Sequence, residues 1–401
     1  TLKRIGDYAF YGCAVEKVVI PESVTWIGDL SFYGCSSLTS LTLPQTLDDN
    51  GIGSSVFAGC SISEIELPQN WQTIKDGMFA HCSKLQQINF PTSVISIGSC
   101  AFSGCSSLRE IVLPPKLKAV GSSAFSGCSL LEVVDIPQGV GWIGGGAFEY
   151  CDNLREVSIP DGIERICAAT FYYCGKLREI SIPSSVEFVE DRAFSCCDSL
   201  QKISFSDWLG YKGRIESGAF EGCSNVVKVC VLSGPEKISE SYADWYQHQG
   251  MEKILPDSFR RITDVVFEDG CVCVYDNMFS SCENLKNVVL SSTVEEIRYG
   301  AFGGCSGLSE IRIPPSVTNI GLLAFASCKS LSLIALQDGL RTIGQQAFDG
   351  CDNLRSITIP SSVTDIGRSA FASCKSLLSV SLHEGLRSIG SSAFGGCSDL
   401  R

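Results

Sequence analysis

Twenty-two cysteines in 401 residues are the side chains with the most chemical potential in this sequence. A thiol can ligate a soft metal, close a disulfide or attack an electrophile. Sixteen of the cysteines stand three residues after a phenylalanine, from Cys13 after Phe10 to Cys397 after Phe394. Zinc-type sites need C-x-x-C pairs or a cysteine–histidine set. No C-x-x-C occurs, and histidine is confined to His81, His248 and His383. Disulfides between neighbouring rungs stay open, because stacked strands lie near the spacing that a bridge needs. Bridging, however, would pair alternate rungs, and the sequence treats all rungs alike. A ladder of buried thiols packing as small apolar groups fits the even repetition best. Six cysteines fall off the ladder: Cys100, Cys167, Cys196, Cys230, Cys271 and Cys273. Aligning the run from Ile262 with the repeat places Cys271 at a buried position and Cys273 outside the apolar set. Cys230, between Val229 and Val231, falls on an outward-facing strand position. Cys230 and Cys273 are therefore the candidate reactive thiols.

Other chemistry-like patterns are weaker. Gly139-Val140-Gly141-Trp142-Ile143-Gly144 spells G-x-G-x-x-G, but a dinucleotide site needs it between a strand and a full helix, and here Ala147-Phe148 of a repeat follows. His383-Glu384 starts like H-E-x-x-H, yet position 387 is Arg. There is no P-loop pattern, no plausible Ser/His/Asp set and no Asn-x-Ser/Thr sequon. No catalytic residue, metal ligand or cofactor is expected.

The elements that hold these cysteines come from internal repetition. One copy runs from Cys105 to Gly127 as C-s-s-L-x-x-I-x-I-P-x-x-V-x-x-I-G-x-x-A-F-x-G, and Cys128 opens the next. The first apolar position recurs at Leu108, Leu131, Leu154 and Leu177, with most steps of 23 residues. L-x-x-I-x-I alternates as a short strand with one buried face. Proline ends it, having no N–H for a ladder. The next apolar residues, Leu117 and Val120, come three apart and suit a turn or short 3₁₀ segment. Gly121 permits a tight corner, and Phe125 is the large core filler. So short a unit cannot bury both of its sides alone, so copies must stack.

This repeat resembles the BspA-like leucine-rich repeat of bacterial and protist surface proteins, over residues 1–230 and 262–401. With it the expected fold is an α/β repeat solenoid: a curved right-handed leucine-rich-repeat stack, with a concave parallel β-sheet and short turns or 3₁₀ segments on the convex side. It spans 1–401 as a single solenoid of about 16 repeats, with an irregular insert at 233–261. Neither end shows a distinct cap, which points to a fragment of a longer chain. The resemblance implies adhesion or host-surface recognition, although a repeat core does not name its ligand.

Composition narrows the partners. Lys and Arg total 31 against 44 Asp and Glu, for a net charge of −13, so no basic stripe is available for nucleic acid. No apolar run of 18 residues exists to insert in a membrane. Two columns should project from the strands, with a mildly acidic stretch through Glu64, Glu110, Glu156 and Glu179 and no aromatic residue. Aromatics gather instead around the irregular stretch: Trp208, Tyr211, Tyr242, Trp245, Tyr246 and His248. The insert is read as a short helix ending near Gly250, and its rings either contact a partner or fold back to seal the stack. The leading function is a non-catalytic macromolecule-binding module, a cell-surface adhesin or host-recognition ectodomain whose partner is a protein or other extracellular macromolecule. The alternative is an intracellular, cytoplasmic protein–protein interaction scaffold, since a thiol ladder suits a reducing compartment.

Overall fold

A computed structural model describes residues 1–206, 214–216, 218–233 and 251–401. They form a parallel β-solenoid of about 16 turns, divided into two compact units: Thr1–Leu200 with Gly213–Ser224, and Gln201–Lys212 with Asn225–Arg401.

The expected strands are present. In the first unit Lys17–Val19 pairs with Ser40–Thr42 and Val133–Asp135 with Glu156–Ser158, in parallel and with partners one copy apart. In the second, Lys202–Ser206, Lys228–Ser233, Asp264–Phe267 and Asn287–Val289 lie side by side. The central residue of Val133–Asp135 is buried and its neighbours exposed, the alternation of a strand with one wet face. Proline then anchors a turn: Leu117 N–H donates to Pro114 O at 3.0 Å.

The V-x-x-I-G segment departs from expectation. Instead of a turn or 3₁₀ segment it forms a second parallel ladder of two-residue strands: Thr73–Ile74, Ser96–Ile97, Ala119–Val120 and Trp142–Ile143 in the first unit, and six more from Cys273–Val274 to Ser388–Ile389 in the second. Helix is nearly absent among the described residues, limited to Met251–Ile254 and the 3₁₀ turns Asp49–Gly51 and Phe259–Arg261. The α part of the expected α/β class is therefore missing: 23 residues shared between two strands, a proline turn and a glycine corner leave no length for a helix. The glycine after the second strand has its own reason. A Cβ on Gly121 would lie 2.5 Å from Gly98 C and Ser99 N, so close approach of successive copies demands glycine, not a left-handed backbone.

The core is a column of phenylalanines. Phe102, Phe125 and Phe148 are fully buried and stack at 5.3 and 5.5 Å between centroids, both pairs 5° from parallel. The second unit repeats this from Phe279 to Phe394.

Candidate functional site

The cysteine ladder sits behind the phenylalanines, and all 22 thiols are free. From Cys35 onward, each ladder thiol donates to the carbonyl of a phenylalanine one copy earlier, as with Cys105 on Phe79 at 3.2 Å and Cys128 on Phe102 at 3.4 Å. That carbonyl also accepts the N–H of its own copy's cysteine, Cys105 N to Phe102 O at 3.1 Å. A buried carbonyl has two lone pairs. The turn amide fills one and the next copy's thiol fills the other, which alanine could not do. Sequence reasoning gave the small apolar packing and missed the donor.

Burial makes these thiols inert. It holds Cys128 and Cys151 well above the ordinary thiol range and pushes Cys282 and Cys374 up to about 12. The two candidate reactive thiols are corrected. Cys230 is 2% exposed: it stands in register between Ser204, also buried, and half-buried Val266, so this outward strand position is closed to solvent. Cys273 begins a strand of the second ladder, and burial pushes its thiol up to about 12. Cys271 is buried as expected and donates to Val231 O at 3.1 Å. The exposed thiols are Cys13 and Cys100.

The glycine motif is no cradle: Trp142–Ile143 is a strand, and turns follow Gly144. His81 lies on the surface. Among the described residues no group of histidine, cysteine or carboxylate side chains could hold a metal ion, and no helix is long and apolar enough to cross a membrane.

Glu64, Glu110, Glu156 and Glu179 are all exposed. Glu110 bridges Val133, which pairs with Glu156, so carboxylates alternate with an exposed valine along one face. Beside them Arg155 meets Glu132 at 3.5 Å, and Val112 stands 82% exposed. The strands thus present a continuous, uncovered surface of mixed polar and small apolar groups. Trp208, Tyr211, Tyr242, Trp245, Tyr246, His248 and the helix expected before Gly250 lie outside the described residues.

One cluster escaped the sequence reading. Tyr150, Tyr172 and Tyr173 meet at a turn edge of the first unit, with centroids 4.7 to 5.5 Å apart. Tyr150 (44% exposed) and Tyr173 (42%) occupy the place just before a ladder cysteine. That backbone is left-handed, and nine copies fill it with glycine, from Gly12 to Gly396. At Tyr150 and Tyr173 φ is 57° and 58°, a conformation that costs a residue with a Cβ about 1–2 kcal/mol. Cys196 holds the same place one copy on, and its negative charge on ionisation, with a shared hydrogen bond, raises the Tyr173 phenol. Seven copies break the glycine pattern at this place, and the readable signal was that two adjacent ones, Tyr150 and Tyr173, do so with tyrosine.

The chain matches the model of the BspA type leucine rich repeat region over residues 3–132, 50–160, 141–273 and 272–401. No curated protein matches it. Among solved structures, a leucine-rich repeat protein from Bacteroides ovatus is 29% identical over 86% of this chain and 87% of its own, with a TM-score of 0.43. A leucine rich cell surface protein from Faecalibacterium prausnitzii is 25% identical over 95% and 83%, also at 0.43. The pneumococcal vaccine antigen PcpA is 16% identical over 96% and 75%, at 0.32. With matches to that model running from residue 3 to residue 401, on a stack built from repeated copies of one short strand followed by a turn and a phenylalanine–cysteine edge, the chain belongs to the BspA-type leucine-rich-repeat family.

Proposed function

We propose that this chain is a non-catalytic macromolecule-binding module, serving at the cell surface as an adhesin or host-recognition ectodomain. The observation that carries the reading is the uncovered strand face, where Glu64, Glu110, Glu156 and Glu179 stand exposed on a stack whose interior is wholly committed to packing. Family membership supports it, since leucine-rich repeats are in general binding modules. The partner is a protein or other extracellular macromolecule, and Trp208, Tyr211, Tyr242, Trp245, Tyr246 and His248 are proposed to add contacts. Within each unit the passage from one parallel strand to the next is proposed to be right-handed, as such connections almost always are, with the strand face concave.

The test uses the whole chain against an array of extracellular-matrix and cell-surface proteins. At least one saturable binder is expected, whose affinity falls tenfold or more when Glu110, Glu156 and Glu179 become lysine. Binding indifferent to that reversal would remove the strand face from the reading, and no binder at all would remove adhesion.

A second reading, an intracellular scaffold, draws on the free state of all 22 thiols. Recovering the native protein from its own cells with these thiols unpaired after trapping would favour it. Bridged rungs would favour the surface.

A further inference from the structure

The tyrosine rings touch across neighbouring copies, but the stack forms without them elsewhere. Glycine serves its left-handed positions in nine copies, and the backbone beside them leaves room: the nearest neighbour to a Cβ on Gly127 is Gly104 Cα at 3.6 Å. Two adjacent copies nonetheless carry tyrosine there, and Tyr172 adds a third ring. Exposed aromatic side chains clustered at one edge, where the other copies carry glycine, serine, histidine or cysteine, point to a contact surface.

Charge and ring geometry say what it would contact. Glu149 and Asp152 flank Tyr150 along the chain, and exposed Asp198 acts on the Tyr173 phenol. Of the cations in these copies, Arg155 and Arg165 pair with Glu132 and Glu190, and the two beside the rings, Arg192 and Lys176, have partners of their own. Arg192 lies 3.6 Å from Asp191, and Lys176 is hydrogen-bonded to Asn153 at 2.5 Å. The edge therefore carries an excess of carboxylates around three electron-rich rings, within a chain of net charge −13. Tyr172 meets Tyr173 at 88° and Tyr150 at 66°, and Tyr150 meets Tyr173 at 30° with centroids 5.4 Å apart, so the three faces do not lie in one plane. A cation needs only one ring face within about 6 Å.

We propose that the Tyr150–Tyr172–Tyr173 edge is a docking point for a lysine- or arginine-rich segment of a protein partner, with the side-chain cation over a tyrosine face and the neighbouring carboxylates at its rim. The site is separate from the strand face and holds whether or not that face binds.

The probe is a fluorescein-labelled twelve-residue peptide of alternating lysine and glycine, with its fully acetylated form as the neutral control, titrated into the 401-residue chain at 150 mM salt. The amine form is expected to bind at least tenfold more tightly. Replacing Tyr150 and Tyr173 by glycine should weaken it at least fivefold without lowering the melting temperature, because glycine suits the left-handed backbone. Replacing Glu64 and Glu110 by glutamine should change affinity less than twofold. Unchanged affinity in the glycine variant, equal binding of the two peptides, or loss confined to the glutamate variant would each overturn the proposal. So would a neutral oligosaccharide that binds the wild type and is lost in the glycine variant.

Discussion

Replacing Phe125 with alanine tests the register of the whole stack. The ring is fully buried between Phe102 at 5.3 Å and Phe148 at 5.5 Å. Emptying such a site costs about 3–5 kcal/mol in lost transfer and cavity formation, and each stacked partner adds about 0.5–1.5 kcal/mol beyond area. Collapse is blocked, because the flanking copies are pinned by backbone bonds such as Phe125 N to Ala147 O at 2.8 Å. The upper end, about 4–5 kcal/mol, is expected. In a solenoid that loss falls on the altered copy and its neighbours. At 1.4 kcal/mol per decade, the local opening equilibrium rises by about three orders of magnitude. Hydrogen exchange read by mass spectrometry should show this in peptides from 97 to 151 and leave 300–390 unchanged. Phe10→Ala is the control: that ring is 41% exposed with one stacked neighbour, Phe32, so it should cost about 1–2 kcal/mol. Equal protection in the Phe125 variant and the wild type, or equal costs at the two sites, would refute the register.

Three further expectations follow from the ladder and the glycine corners. A thiol reagent on native protein at neutral pH should label Cys13 and Cys100 rapidly and leave Cys128 and Cys151 untouched, while denatured protein yields 22 thiols; rapid native labelling of Cys128 would contradict its burial. Burial raises the folded thiol pKa from 9.0, to about 12 at Cys273, Cys282 and Cys374, so the neutral form is favoured in the fold. That stability is fully present below pH 9 and is lost as pH rises towards 12, at about 1.4 kcal/mol per pH unit for each thiol. The melting temperature should therefore be flat from pH 7 to 8.5 and fall steeply by pH 10.5, and a flat profile to 10.5 would oppose it. Gly121→Ala should cost at least about 1–3 kcal/mol through its 2.5 Å approach to Gly98, whereas Gly141→Ala, with nothing within 4 Å, should stay within about 0.5 kcal/mol in a urea melt.

The strand face was legible because its period of two repeats in copy after copy, so that the sequence alone places Lys17, Ser40 and Glu64 outward. The second ladder was not. Its strands are two residues long, as at Ala119–Val120, and alternation over two residues cannot be told from a turn. Nor could the glycine be assigned its reason, since close approach of Gly121 to the previous copy is a property of the stack and leaves no mark on one copy. Cys230 misled for a related cause: alternation gives the side of the sheet a residue stands on, whereas its burial beside Ser204 is a property of the neighbouring copies. The tyrosine edge was not legible because the place before the ladder cysteine varies among glycine, serine, histidine, cysteine and tyrosine, and no single copy shows that Tyr150, Tyr172 and Tyr173 meet.

These cases share a physical origin. Each copy satisfies its neighbour's backbone, with the Cys128 thiol on the Phe102 carbonyl and the Phe102 amide on the carbonyl of Ala124. Periodic residues are thereby consumed in stacking and carry no information about a ligand. What remains free to vary is whatever faces water, and there a polar or small residue costs nothing. A large exposed ring at such a position is different: seven copies hold a residue with a Cβ in this left-handed turn, and Tyr150 and Tyr173 are the tyrosines among them. In a solenoid the informative positions are therefore those where a variable surface place carries a large exposed apolar side chain. By that criterion Tyr150 and Tyr173 rank above the acidic column of Glu64, Glu110, Glu156 and Glu179.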